Sequence, residues 1–189
     1  THVYVDDNPT STPQDNYLVT ATIFDDDTGA STATASITVN NMAPAVTIDS
    51  VTVIDKVLAT DENGNPTQWL NPGQIDESEG FIVRGTVTDA GVSDTHTAML
   101  KVDLNFDGDT DDAGESVAVA VTPVPNMPGH WTFEHSVAQV LDDGPWLGNA
   151  TVTDDLNIDV LIEDDDAGAG SAAETALTWD VAPTIIDDP

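Results

Sequence analysis

The 189-residue chain carries 35 Asp and Glu against 3 Lys and Arg, a formal net charge of −32 at pH 7, while 39% of it is hydrophobic. That apolar fraction suffices for a packed core, so the acidity belongs to a folded protein and not to a disordered tail. Three basic side chains cannot displace counterions along a phosphate backbone or hold an anionic lipid surface, and the chain has no cysteine, which excludes nucleic-acid partners, membrane binding, disulfides and thiolate metal sites.

No apolar run approaches the roughly 20 residues of a membrane helix, and Thr1 opens without a signal-peptide pattern. The chain therefore reads as an interior segment of a longer polypeptide. Its surface repels itself unless cations or high salt neutralise it, so divalent metal, salt-rich surroundings or both are expected. A halophile's salt adaptation and a Ca²⁺-driven acidity would look alike in composition.

Along the chain, short runs of alternating Thr, Val, Ile and Ala are broken by Gly, Pro, Asn and Asp, the pattern of half-buried antiparallel strands. A strand over Tyr17–Ile23 leads into the acidic turn Asp25-Asp26-Asp27 and a return strand through Ser36–Val39. A further strand spans Thr47–Leu58, and Asp61–Pro66 turns it towards Thr67–Trp69. The following strands are predicted over 81–89, 98–104, 116–122, 131–140, 156–163 and 172–180, with no helical period anywhere. The fold class is all-β.

An internal repeat organises these elements. Ile23-Phe-Asp-Asp-Asp-Thr-Gly-Ala30 returns as Ile162-Glu-Asp-Asp-Asp-Ala-Gly-Ala169, and Ala43-Pro44 as Ala182-Pro183, both 139 positions later. In the last strand Ile37 and Val39 fall opposite Ala176 and Thr178, with Leu177 and Trp179 in the alternate phase, which predicts a β-bulge in one copy. The division expected is the C-terminal half of one repeat at 1–44, a complete repeat at 45–183 and the start of a third at 184–189. A half sandwich leaves edges unpaired. Neighbouring repeats of the same polypeptide would complete it, or strand exchange in a homopolymer.

Tyr17-Leu-Val-Thr-Ala-Thr-Ile-Phe-Asp-Asp-Asp-Thr-Gly29, followed by Ser36-Ile-Thr-Val-Asn-Asn-Met-Ala-Pro44, resembles the end of a PKD-type (polycystic-kidney-disease-type) repeat. Ile75-Asp-Glu-Ser-Glu-Gly80 with Gly85-Thr-Val-Thr-Asp-Ala-Gly-Val-Ser-Asp-Thr-His-Thr97 is similar to the front of PKD-like repeats of giant bacterial surface proteins. The usual Trp-x-Phe-Gly-Asp-Gly strand is replaced by Val102-Asp-Leu-Asn-Phe-Asp-Gly-Asp109. The resemblance implies tandem Ig-like antiparallel sandwiches of about seven strands, with function in the end loops.

Two groups of residues could hold metal. In Asp103–Glu115, oxygen side chains alternate at Asp103, Asn105, Asp107, Asp109 and Asp111, with Gly108 at the sixth position where a wound Ca²⁺ loop turns sharply. The twelfth position is Gly114, so Asp112 or Glu115 would close the shell. The alternative is a solvated acidic turn. The second group, at the junction with the preceding repeat, draws on Asp164, Asp165 and Asp166 with Asp89 or Asp94, helped by Asn41; against it, Asp-Asp-Asp-x-Gly is simply a good turn sequence. Asp6, Asp7, Asp142, Asp143, Glu77 and Glu79 are minor candidates at the opposite end.

Catalysis finds no footing: carboxylate pairs arise by composition, and His2, His96, His130 and His135 show no zinc spacing and read as structural or surface residues. Trp69, Trp131, Trp146 and Trp179 could stack on sugars if two or more lined one face, but a buried sandwich position is the commoner explanation. Lys56 or Lys101 joined to an Asn would make an isopeptide crosslink. The reading is a Ca²⁺-binding structural or adhesive segment of an extracellular or cell-surface stalk, filament, surface layer or adhesin, with a polysaccharide or cell-surface ligand. The alternative is a carbohydrate-binding accessory module of a secreted hydrolase.

Overall fold

Alternating β-branched residues favour extended backbone, and the chain folds into strands with no helix among the described residues. The computed structural model describes residues 2–4, 10–53, 57–60, 66–69, 74–76, 79–138 and 153–179. The expected third unit at 184–189, Lys56, Trp146 and the minor candidates Asp6, Asp7, Asp142, Asp143 and Glu77 lie outside them, as do the side chains of Trp69 and Trp179.

The strands are β1 (Gln14–Phe24), β2 (Ala30–Asn40), β3 (Ala45–Val53), β4 (Val57–Thr60), β5 (Pro66–Trp69), β6 (Gln74–Asp76), β7 (Phe81–Thr88), β8 (His96–Val102), β9 (Ser116–Val119), β10 (Val121–Pro123), β11 (His130–Val137), β12 (Thr153–Asp164) and β13 (Ala169–Trp179). Four form one sheet in the order β10-β11-β7-β3, and five form a second in the order β6-β13-β12-β8-β9. Pairing is antiparallel except between β6 and β13. The strand expected over 116–122 splits at Ala120, so that β9 joins one sheet and β10 the other.

Period-2 alternation turns one side of each sheet inward. Val51, Phe81, Val83, Val87, Trp131 and Phe133 from the first sheet join Ala98, Leu100, Val102, Leu156, Ile158, Val160 and Ile162 from the second in one buried cluster, a β-sandwich-like arrangement. Gly85 lets the Phe133 ring and the Thr47 carbonyl close onto β7, where a Cβ would collide with both. Beside it, the register of β3 shifts between Ile48 and Ser50, a bulge that carries Asp49 outward.

The repeat seen in the sequence has a structural counterpart. The β1–β2 hairpin pairs from Gln14↔Asn40 to Phe24↔Ala30, and β12–β13 from Thr153↔Trp179 to Glu163↔Ala169, the same register 139 positions on. The turns agree as well. Gly29 N–H donates to Asp25 Oδ1 at 2.6 Å and Gly168 N–H to Asp164 Oδ1 at 2.6 Å, while Thr28 and Ala167 both take left-handed backbone (φ 75° and 67°).

No bulge separates the two copies, contrary to the expectation for the last strand, because neither register shifts. The inward positions of β13 are simply small: Ala176 and Thr178 are buried, the Thr178 hydroxyl donates to the Asp154 carbonyl (3.1 Å), and Leu177 turns outward. Small residues suit a strand that lies against β3.

The two hairpins differ in what covers them. Leu156, Ile158, Val160 and Ile162 are at most 2% exposed, whereas Ile23, equivalent to Ile162, is 72% exposed, and Val19 and Ile37 on the same face of β1–β2 are also open. Among the described residues β1–β2 forms a two-stranded sheet by itself.

Candidate metal centre

The turn between β12 and β13 is built by Asp164. Its Oδ1 accepts the N–H groups of Asp166 (3.0 Å) and Gly168 (2.6 Å), an Asx turn that reverses the chain in four residues. The loop after β7 uses the same device, with Asp89 Oδ1 accepting the Gly91 N–H (3.1 Å) and the Asp94 N–H donating to the Gly91 carbonyl (3.1 Å). Because β12 pairs with β8, and β8 follows that loop, both turns emerge at one end of the sandwich.

There one carboxylate oxygen from each of Asp89, Asp94 and Asp164 lies within 4.8 Å of the other two. All three residues are nearly enclosed, at 9%, 6% and 8% exposure. Glycines make the room. A Cβ at Gly91 would run into the Asp94 carboxylate, and one at Gly168 into Asp164, Asn41 and the Ala43 backbone.

The chain leaving β2 closes the cluster from outside. Asn41 Nδ2 donates to both oxygens of Asp164 (3.1 and 3.0 Å), and its Oδ1 is buried with no hydrogen-bond partner. Asp165 reaches across instead: its Oδ1 accepts the Thr95 N–H (2.7 Å) and its Oδ2 the Ser11 hydroxyl (3.5 Å). The Thr95 N–H is the main reason its carboxyl is held below the ordinary 3.8 of aspartate. Asp166 is buried in the same turn. Residues on three segments far apart in sequence thus meet.

The donor set suits a hard cation. Two ligands of one Ca²⁺, each at about 2.3–2.6 Å, stand at most about 4.6–5.2 Å apart, so three oxygens within 4.8 Å of one another can share one ion. No cysteine is present and no histidine joins the group, which disfavours the softer metals.

The Asp103–Glu115 loop is wired differently. Asn105 Oδ1, Asp107 Oδ1 and Asp109 Oδ1 each accept the N–H two residues on, at 3.0, 3.1 and 2.9 Å. Asp103, fully buried, accepts from Asp107 (3.2 Å) and Gly108 (3.0 Å), and Gly108 takes φ +97° as its place in a tight turn requires. Glu115 spends its two oxygens on the Leu104 and Asp112 N–H groups, both at 3.0 Å. Asp112 accepts from Asn105 Nδ2 (2.7 Å) and Asp111 pairs with Lys101 (2.5 Å), which raises the Lys101 pKa above 10.5. No three of these carboxylates converge as the junction trio does.

Elsewhere, Trp131 is buried and offers no open face for sugar, and Glu79 stands apart from the trio before β7. His96, read from sequence as structural or surface, is buried beside the trio, with Nε2 2.9 Å from Asp89 Oδ2. No helix among the described residues is long and apolar enough to cross a membrane. Neither a protein-family model nor a curated protein matches the chain.

Proposed function

We propose that the chain is a Ca²⁺-binding structural segment of an extracellular or cell-surface protein built from PKD-like, Ig-type repeats, in a stalk, filament, surface layer or adhesin. The carrying observation is the junction trio: Asp89, Asp94 and Asp164 from one sandwich, with Asn41 of the preceding hairpin hydrogen-bonded to Asp164. A cation there would neutralise buried like charges and tie the linker Asn41–Pro44 to the sandwich end. Bending between successive units would then cost ligand bonds.

The tandem organisation is supported by the register shared between β1–β2 and β12–β13, in which the first hairpin exposes the face that the second buries. A second cation would sit in the Asp103–Glu115 loop. There the N–H of the sixth residue, Gly108, already closes onto the carboxylate of the first, Asp103, and alternate oxygens follow at Asn105, Asp107 and Asp109.

The test is native mass spectrometry and thermal unfolding of the whole chain in chelator and in millimolar Ca²⁺ at physiological salt. One or two bound ions with a Ca²⁺-dependent rise in Tm are expected. A chain that binds no ion and melts alike in both would make the carboxylates a salt adaptation.

A further inference from the structure

β8 turns Ala98, Leu100 and Val102 inward. The same phase carried back to the strand's first residue points His96 inward too, at the position paired with Asp164 of β12. Its side chain is 0% exposed, as is that of Asp89, whose Oδ2 lies 2.9 Å from His96 Nε2. The imidazole packs on Trp131 with ring centroids 4.3 Å apart. Its Nδ1 is buried and meets no hydrogen-bond partner.

A carboxylate only accepts, so the ring proton facing Asp89 resides on Nε2. Asp89 is therefore held at both oxygens by fixed donors, His96 Nε2–H on Oδ2 and the Gly91 N–H on Oδ1 (3.1 Å). The unmet Nδ1 is a cost that a merely space-filling apolar residue would not carry. What the histidine supplies in return is a donor at one place, aimed at one member of the trio.

We propose that His96 is the positioning residue of the junction cation site: its Nε2–H fixes the Asp89 carboxylate so that the remaining lone pairs face Asp94 and Asp164, and Trp131 fixes the ring. This rests on the reading of the trio as a cation site. Hydrogen-bonded partners of ligating carboxylates orient them, and losing one typically costs about 10–100-fold in metal affinity.

The experiment is calorimetric titration of CaCl₂ into the whole chain and its His96→Leu and His96→Gln variants, each also melted in chelator. The junction site is identified as the binding event that Asp94→Asn weakens at least about tenfold. Affinity there falls about 10–100-fold in His96→Leu and largely returns in His96→Gln, which keeps an N–H of similar reach. Equal affinity in wild type and His96→Leu, or equal loss in Leu and Gln, overturns the positioning role while leaving the cation reading intact. Wild type that binds no Ca²⁺ at that site overturns both. Should His96→Leu fail to fold, ring-nitrogen NMR of the wild type decides: His96, alone of the four histidines, shifts in step with Ca²⁺ occupancy, and an unmoved His96 at saturation overturns the proposal.

Discussion

Asp94→Asn separates the two costs that meet at the junction. With the trio's oxygens no more than 4.8 Å apart, each ionised pair repels by about 3.5 kcal/mol or more at an effective dielectric of about 20, and the three pairs by about 10 kcal/mol. That is comparable with the whole stability of a domain, about 5–15 kcal/mol. Removing the Asp94 charge eliminates two of the three pairs while conserving shape. Counterions and local relaxation already relieve most of the repulsion, so we expect a gain of about 1–3 kcal/mol in chelator, or about 2–12 °C in Tm.

In Ca²⁺ that gain shrinks. An ion bound with a Kd of about 10 μM contributes about 2.7 kcal/mol at 1 mM, and loss of one charged ligand weakens it at least about tenfold, which halves that increment. The assay is differential scanning calorimetry of wild type and variant in chelator and in 1 mM Ca²⁺. A variant that melts lower than wild type in chelator, yet keeps the full Ca²⁺ increment, would refute the argument.

Gly168→Ala should destabilise by about 1–3 kcal/mol and loosen the hairpin, because its Cβ meets Asp164, Asn41 and the Ala43 backbone together; small-angle scattering that shows an unchanged profile and an unchanged Tm would contradict it. Hydrogen exchange should be at least about 100-fold faster in β1–β2 than in β12–β13, since a hairpin open on both faces is marginal in water, and equal protection in a monomeric sample would rule this out. Phe133→Ala should cost about 3–5 kcal/mol, as its 3%-exposed ring fills the space over Gly85; urea titration measures it, and a loss under 1 kcal/mol would deny the ring its place in the core. The Asp165 carboxyl is held below 3.8, so its contribution is full above that value and is lost as pH falls through the lower folded-state value. The Tm difference between wild type and Asp165→Asn should therefore stay constant from pH 7 to about 4 and close below it, and a difference that closed above pH 4 would show the Thr95 bond to be ineffective.

Much of the fold lies in local pattern, and that part is legible. The acidic turns at Asp25 and Asp164 and the shared offset predict two copies of one hairpin, and the observed registers agree residue for residue. The misreading of the last strand came from ranking residues by size: Leu177 is the larger, yet Thr178 is the one buried, because the phase of Ala176 and Thr178 is the one turned inward. β6 is three residues long and pairs in parallel with β13, so it has too few positions to show alternation. The two-sheet split at Ala120 is a tertiary event without a local signature.

The two acidic groups show where sequence reasoning reaches its limit. Asp103–Glu115 is conspicuous because its oxygens are adjacent in the chain, and neighbouring N–H groups wind that stretch into a tight loop around Asp103 and Glu115. Asp89, Asp94 and Asp164 are drawn from separate turns, and only the pairing of β8 with β12 brings them together. Their carboxylates are packed against like charge inside a nearly closed space, the arrangement in which a divalent ion has most to offset. His96 was legible in principle, for extending the inward phase of Ala98, Leu100 and Val102 by one more step reaches it. A strand begun at residue 98 stops short of the one imidazole that touches the trio.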